Sequence, residues 1–186
     1  MYPKVQSERL ILRKMKLSDA KRVQYLAGDI QIYKTTLTIP HPYEDGVAES
    51  WIKRHQENYQ KRRALVFAIE IKNSKIVIGA ISLMFERFNK CEVGYWIGKE
   101  YWNQGYCSEA CTALIDFAFT NLELNKIVGK HLAINGASGK VMKKCGMKKE
   151  GELLDDVIKD SRYHDVFIWG IRYEDWLNNK KTSNKI

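Results

Sequence analysis

"CEVGYWIGKEYWNQGYCSEACTALIDFAF", residues 91–119, decides the fold. Its first eight residues are dense in β-branched and aromatic side chains and read as a strand. From residue 106 onward, Ala110, Leu114, Phe117 and Ala118 recur at helical spacing and give one apolar face. Between the two lies a loop that carries Gly105, Ser108 and Glu109. Just downstream, "NKIVGKHLAI" (125–134) reads as a second strand. A helix joining two strands of one sheet makes a crossover, and the strands it joins are parallel. Ligands of such sheets favour the crevice beyond the strands' carboxyl ends. The loops at 99–108 and 134–138 belong there.

The first turn of a helix exposes N–H groups without internal partners, and the dipole adds partial positive charge. An anion fits such a place. Gly105 allows close approach to the backbone and torsions barred to other residues. One exposed dipole contributes only about 0.3–1 kcal/mol, so several oriented N–H groups must supply most of the grip. The loop alone leaves a second reading open, a capped helix with Gly105 in a tight turn. The chain has no GxxxxGK[ST] and no GxGxxG after the strand, which disfavours a P-loop NTPase and a dinucleotide fold.

Working outward, "ERLILRKM" (8–15) alternates as a first strand, with Leu10 and Leu12 on one face. "LSDAKRVQYLAG" (17–28) is helical, with Ser18 or Asp19 as cap and Gly28 at its end. "TTLTIPHPY" (35–43) is broken by prolines and reads as a loop, flanked by Tyr33, His41 and Tyr43. In residues 44–63, Val47, Trp51, Ile52 and His55 form one helical stripe. "ALVFAIEI" (64–71), "IVIGAISLMF" (76–85) and "CEVGYWIG" (91–98) are successive antiparallel strands. "GASGKVMKKCG" (136–146) is a short helix, and 148–159 with 162–173 form a final antiparallel pair.

With 186 residues, 45% hydrophobic and 11% aromatic, the chain suits one domain with one core. We expect that domain over 1–177 and a basic flexible tail over 178–186. No apolar run is long enough to span a membrane, and no signal peptide is legible at the start, so a cytoplasmic protein is expected. Four cysteines (Cys91, Cys107, Cys111, Cys145) show no zinc spacing and read as buried thiols, and no metal site is expected. The net charge of +9 fits an anionic partner without identifying it. Part of it lies in short clusters such as "KRR" at 61–63.

The motifs, in series, resemble the GNAT acyltransferases. More narrowly, "CEVGYWIGKEYWNQGYCSEA" is similar to "AEIGYWLxxxYWGKGYATEA" of the branch that acetylates ribosomal-protein N termini. "NKIVGKHLAINGASGKVMKKCGMKKEGEL" is similar to that branch's "HRIxxxVxxxNxxSxrVLEKxGFkkEG". "SERLILRKMKLSDA" and "RYHDVFIWGI" match its two ends, so the resemblance covers nearly the whole chain. It implies a mixed α/β GNAT fold: a mostly antiparallel twisted sheet of about seven strands with one splayed parallel pair, and about four helices. It implies acetyl-CoA as co-substrate, with the pantetheine arm in the splay against the backbone of Tyr95, Trp96 and Ile97. The pyrophosphate would rest on the amides of Gln104, Gly105, Tyr106, Cys107 and Ser108. Asn135 and Ser138 match the NxxS pair that contacts the cofactor. Two positions depart from the family pattern. Cys107 stands where alanine or glycine is usual, and Met142 stands where many members carry a tyrosine acid.

An attacking amine must be neutral. A peptide α-amine, with a pKa near 7.7–8, is roughly a tenth neutral at pH 7, whereas a lysine is neutral in under about one part in a thousand. Glu92, at the start of the central strand, is the candidate base, directly or through water. Ser138 is the candidate donor to the departing sulfur. Each has a structural alternative: a surface glutamate paired with a lysine, and a helix cap. The expected activity is N-acetyl transfer to a primary amine, with a protein N-terminal α-amine, ribosomal-protein-like, as acceptor. A small amine such as a polyamine or antibiotic is the alternative, with Glu44, Asp45, Glu49 and Glu57 as acids to receive it. Other classes are a non-catalytic acyl-CoA sensor and a basic RNA-binding module. Nucleic acid is not expected except through a ribosome, and a homodimer is allowed.

Overall fold

The structure, a computed structural model, describes residues 1–183. Eight strands form one sheet: β1 (Val5–Gln6), β2 (Leu10–Lys14), β3 (Ala64–Ile71), β4 (Val77–Phe85), β5 (Lys90–Ile97), β6 (Lys126–Leu132), β7 (Lys148–Lys159) and β8 (Arg162–Arg172). Their order is β1-β2-β3-β4-β5-β6-β8-β7, and every pair is antiparallel except β5 with β6. Six α-helices accompany them: α1 (Ala20–Ala27), α2 (Ile30–Thr35), α3 (Val47–Gln60), α4 (Tyr106–Asn121), α5 (Gly136–Lys144) and α6 (Tyr173–Ser183). This is the expected mixed fold with its parallel pair, one short strand and two helices richer than the sequence suggested.

The two faces of the sheet bury different layers. On one, α4 sets Ala110, Cys111, Leu114, Ile115 and Ala118 against Leu10, Leu12, Leu65, Phe67, Ile69, Cys91 and Val93, all essentially inaccessible. On the other, α1 and α3 close a smaller cluster of Met15, Val23, Ala48, Ile52, Ala68 and Ala80, with Trp51 and Trp96 packed at its edge. The alternation along β5 explains the division. Cys91 and Val93 point to α4, while Glu92, Gly94 and Trp96 point the other way.

Three local expectations change. Neither Ser18 nor Asp19 caps α1. Asp19 is drawn instead to the guanidinium of Arg13 (2.8 Å) and the Lys16 amide (2.7 Å). Residues 30–35, before the expected loop, form α2, because Asp29 accepts a hydrogen bond from the Gln31 amide at 2.7 Å and caps it. The helix α6 runs through residues 178–183 of the expected tail, where Lys180 reaches Asp116 at 2.6 Å. The rest of that stretch, 184–186, lies outside the described residues.

Candidate functional site

β5 and β6 pair from Lys90↔Lys126 to Val93↔Gly129 and no further. β5 continues to Ile97 and β6 to Leu132, so beyond this point each strand has a partner only on its outer side. Four unpaired residues on β5 give a slot roughly 13 Å long at the ordinary strand rise. The slot opens at the strands' carboxyl ends, as the crossover requires. The Tyr95 hydroxyl donates to the Ser138 carbonyl at 3.0 Å and so ties β5 to α5 across this end. Burial raises the Tyr95 pKa and keeps it a neutral phenol.

The loop from β5 to α4 is held open by its own residues. Trp102 donates its indole N–H to the Ile97 carbonyl at 2.7 Å, folding the loop back onto the strand end. Gly105 adopts φ +80°, a left-handed torsion that a side chain would strain. Among the described residues, no hydrogen bond engages the amides of Gln104, Gly105, Tyr106, Cys107 and Ser108. These are the five amides expected to receive a diphosphate, and the protein's own groups leave them free.

Arg9 braces the same loop, a role the sequence reading did not assign. Its Nη1 donates to the Gln104 carbonyl at 3.1 Å, its Nε to Glu109 at 2.7 Å, and its guanidinium lies 4.4 Å from the Tyr106 ring centroid. Burial alone would raise the Glu109 pKa. The Arg9 amide, the Ser7 hydroxyl and the Arg9 guanidinium outweigh it and hold the carboxyl below its ordinary range. Glu109 is thus a brace between α4 and the turn that joins β1 to β2. The signal that could have found Arg9 was the acid at the start of α4, which needed a cation.

The NxxS pair divides its roles. The Asn135 carbonyl oxygen Oδ1 caps α5 by accepting from the Ser138 amide (3.3 Å), and Nδ2 donates to the Thr35 carbonyl (3.1 Å). Its side chain thus ties α5 to α2 and keeps one N–H of its amide for a further partner. The Ser138 hydroxyl makes no hydrogen bond among the described residues and is only half-buried. Backbone groups of Tyr95 border the slot, whereas those of Trp96 face Ala80 on β4, in step with the Gly98 amide on the Ile78 carbonyl, and the Ile97 carbonyl is already taken by Trp102.

Glu92 faces away from α4, 22% exposed, with a carboxylate oxygen 3.0 Å from Lys130 Nζ on β6. The pairing with a lysine is therefore real, and it raises the Lys130 pKa chiefly through that hydrogen bond. His131 follows Lys130 on β6, but its roles are spent. The Nδ1–H donates to the Leu132 carbonyl (2.8 Å), and Nε2 accepts from the Trp169 indole (3.1 Å). The ring is neutral, and burial keeps its pKa low. It packs under α5, where a Cβ on Gly139 would lie 2.9 Å from Nε2. Met142 is buried and has no proton to give. Burial raises the Cys107 pKa, so it stays a thiol. Among the described residues, no group of three or more His, Cys, Asp or Glu could hold a metal ion.

The family described as "Acetyltransferase (GNAT) domain" matches residues 9–148. An N-acetyltransferase of Bacillus licheniformis, p20, is 31% identical over 167 residues, covering 89% of this chain and 93% of that protein. The [ribosomal protein uS5]-alanine N-acetyltransferase of Escherichia coli is 25% identical, with 94% of each chain covered. The spermidine N(1)-acetyltransferase of Vibrio cholerae is also 25% identical, covering 94% of this chain and 99% of that one. The microcin C7 self-immunity acetyltransferase MccE, solved with acetyl-CoA and AMP, superposes with a TM-score of 0.80 over 89% of this chain and 93% of that one, at 20% identity.

Proposed function

We propose, for a chain that belongs to the GNAT acetyltransferase family and so transfers acetyl from acetyl-CoA to an amine, that the acceptor is the α-amine of a protein N terminus. The free amides of the 104–108 loop carry the cofactor half of this reading. The residues present fit acetyl-CoA: five unpartnered N–H groups suit a diphosphate, and the slot beyond Val93 and Gly129 suits an extended arm.

When bound, acetyl-CoA supplies a thioester carbonyl open to attack. The chain's own groups do the rest. The unpaired backbone N–H of Tyr95 on β5 would polarise the carbonyl. Glu92 takes the proton from the incoming amine, directly or through one water, while Lys130 holds its carboxylate in place. The free Ser138 hydroxyl donates to the departing sulfur, and the Tyr95 hydroxyl fixes Ser138's backbone from across the slot. An α-amine, already roughly a tenth neutral at pH 7, suits a carboxylate base that shares itself with a lysine. A lysine acceptor would ask much more of it. The similarity to the uS5-alanine acetyltransferase supports the same acceptor class and, with it, a cytoplasmic setting.

A small cationic amine is the second reading. It is supported by the spermidine acetyltransferase relative and by Glu49, whose buried Oε2 has no hydrogen-bond partner among the described residues. Asp45 and Glu57 do not serve it, since they engage Gln24 and Lys61. A screen decides between them: free CoA thiol released on N-terminal peptides, including one beginning with alanine, against spermidine and other small amines. Peptide turnover exceeding small-amine turnover supports the proposal, and the reverse rejects it. No release on any amine, with acetyl-CoA still bound, would indicate a sensor.

A further inference from the structure

The "KRR" cluster plays no part in the chemistry above, and the fold gives it neighbours that the sequence does not show. The connection after α3 packs on the turn between β4 and β5: the Phe85 amide donates to the Arg63 carbonyl at 2.9 Å, and the Arg62 guanidinium lies 5.4 Å from the Phe85 ring centroid. The chain after α4 joins them, with the Asn125 amide donating to the Asn89 carbonyl at 2.8 Å. Together they enclose a cavity of about 730 Å³ whose lining includes Arg62, Phe85, Arg87, Phe88 and Lys90. It sits at the amino end of β5, roughly 25 Å along the strand from the diphosphate loop.

Two features of this turn lack a stabilising purpose. Phe88 is 90% exposed, so its ring stays in water where it gains nothing from the core. Phe88 and Asn89 also both adopt left-handed torsions, φ 62° and 52°. Turns of this kind favour Asn and Gly, and a bulky residue there is an outlier that points to a use. The charges around it favour an anion. Lys61 pairs with Glu57 (2.5 Å) and Lys90 with Glu86 (2.7 Å). Arg62 and Arg87, both on the lining, make no ion pair among the described residues, and the one remaining acid there is Glu123; Arg63 lies off the lining and its charge acts on Glu57. Guanidinium groups meet phosphates through paired donors, and an exposed aromatic ring beside them stacks on a base.

We propose that this end of the sheet is a docking surface for single-stranded RNA, with Phe88 stacked on a base and Arg62 and Arg87 on phosphates. The surface is separate from the acetyl-transfer site and stands whether the acceptor is a peptide or a small amine. An N-terminal acceptor bound to RNA would be held beside the strand that carries Glu92.

Fluorescence anisotropy with a labelled short oligouridylate, read from about 50 to about 200 mM salt, tests it. Two phosphate contacts predict a slope of log affinity on log salt of about −1.4. Phe88→Ala should weaken binding about fivefold or more, since stacking on one base is worth that much. Arg62→Ala/Arg87→Ala should flatten the slope by about 1.4, to near zero. The shift in melting temperature on adding acetyl-CoA should be the same in all three proteins, which separates lost docking from lost fold. Absence of binding by the wild type at the lowest salt, or equal binding by wild type and both variants, overturns the proposal. So does tighter binding of poly-glutamate than of the oligonucleotide, which would mark an acidic protein as the partner.

Discussion

His55 on α3 is 2% exposed, edge-on to Trp51 at a centroid distance of 4.4 Å, and neither ring nitrogen has a hydrogen-bond partner among the described residues. Burial lowers its pKa to about 4, with the Arg54 charge adding to the effect. The unfolded chain takes up a proton near pH 6.5 that the folded chain refuses, so stability falls as the pH drops from about 6.5 toward 4, by up to roughly 3 kcal/mol. His55→Phe should lose most of this slope, as urea midpoints at pH 7 and pH 5 would reveal. An unchanged slope would assign the acid sensitivity to other groups. Glu92 is the other single residue to probe. Glu92→Gln keeps the shape and removes the base, so turnover should fall about 100-fold, within the usual range for such catalysis, while acetyl-CoA affinity stays level. Equal turnover would remove Glu92 from the mechanism. The glutamate itself was legible in the sequence, as was its rival reading as a lysine's partner. That Lys130 would be the lysine was not, because the pair spans two strands 38 positions apart and only the parallel register joins them.

The element that matters most is the start of α4 with the loop before it. Gly105→Ala would put a Cβ on a φ of +80°, 3.4 Å from the Arg9 guanidinium. The strain of about 1 kcal/mol and the crowding both act where the diphosphate would sit, so the acetyl-CoA Kd should rise about fivefold or more. Isothermal titration measures this directly, and an unaltered Kd would contradict the use of these amides. The helix and its glycine could be read from spacing alone, because helical periodicity and a left-handed residue are local matters. The brace of Arg9, Glu109 and Ser7 could not, since its members are about a hundred positions apart. Asn135 joins both kinds of contact: its bond to the Ser138 amide is local, whereas its bond to the Thr35 carbonyl spans a hundred positions and was beyond any window of sequence.

At the scale of the molecule, a site that binds only the folded chain must stabilise it. Acetyl-CoA at about 100 times its Kd should add about 2.7 kcal/mol, which for a protein of this size corresponds to about 5–11 °C in Tm. No shift at such a concentration would mean that the slot beyond Val93 and Gly129 does not take the arm. Among the described residues, no helix is long and apolar enough to cross a membrane. The alternating strands, the apolar face of α4 and the order of motifs were written in the chain itself, because hydrophobic period and turn chemistry act over a few residues. The local patterns thus determined the architecture and the location of the glycine loop before α4. Where the parallel ladder ends, which amides stay free, which lysine meets Glu92 and which arginines gather round Phe88 were decided only by the tertiary structure. These depend on strand register and on contacts between distant segments, and no window of sequence contains both partners.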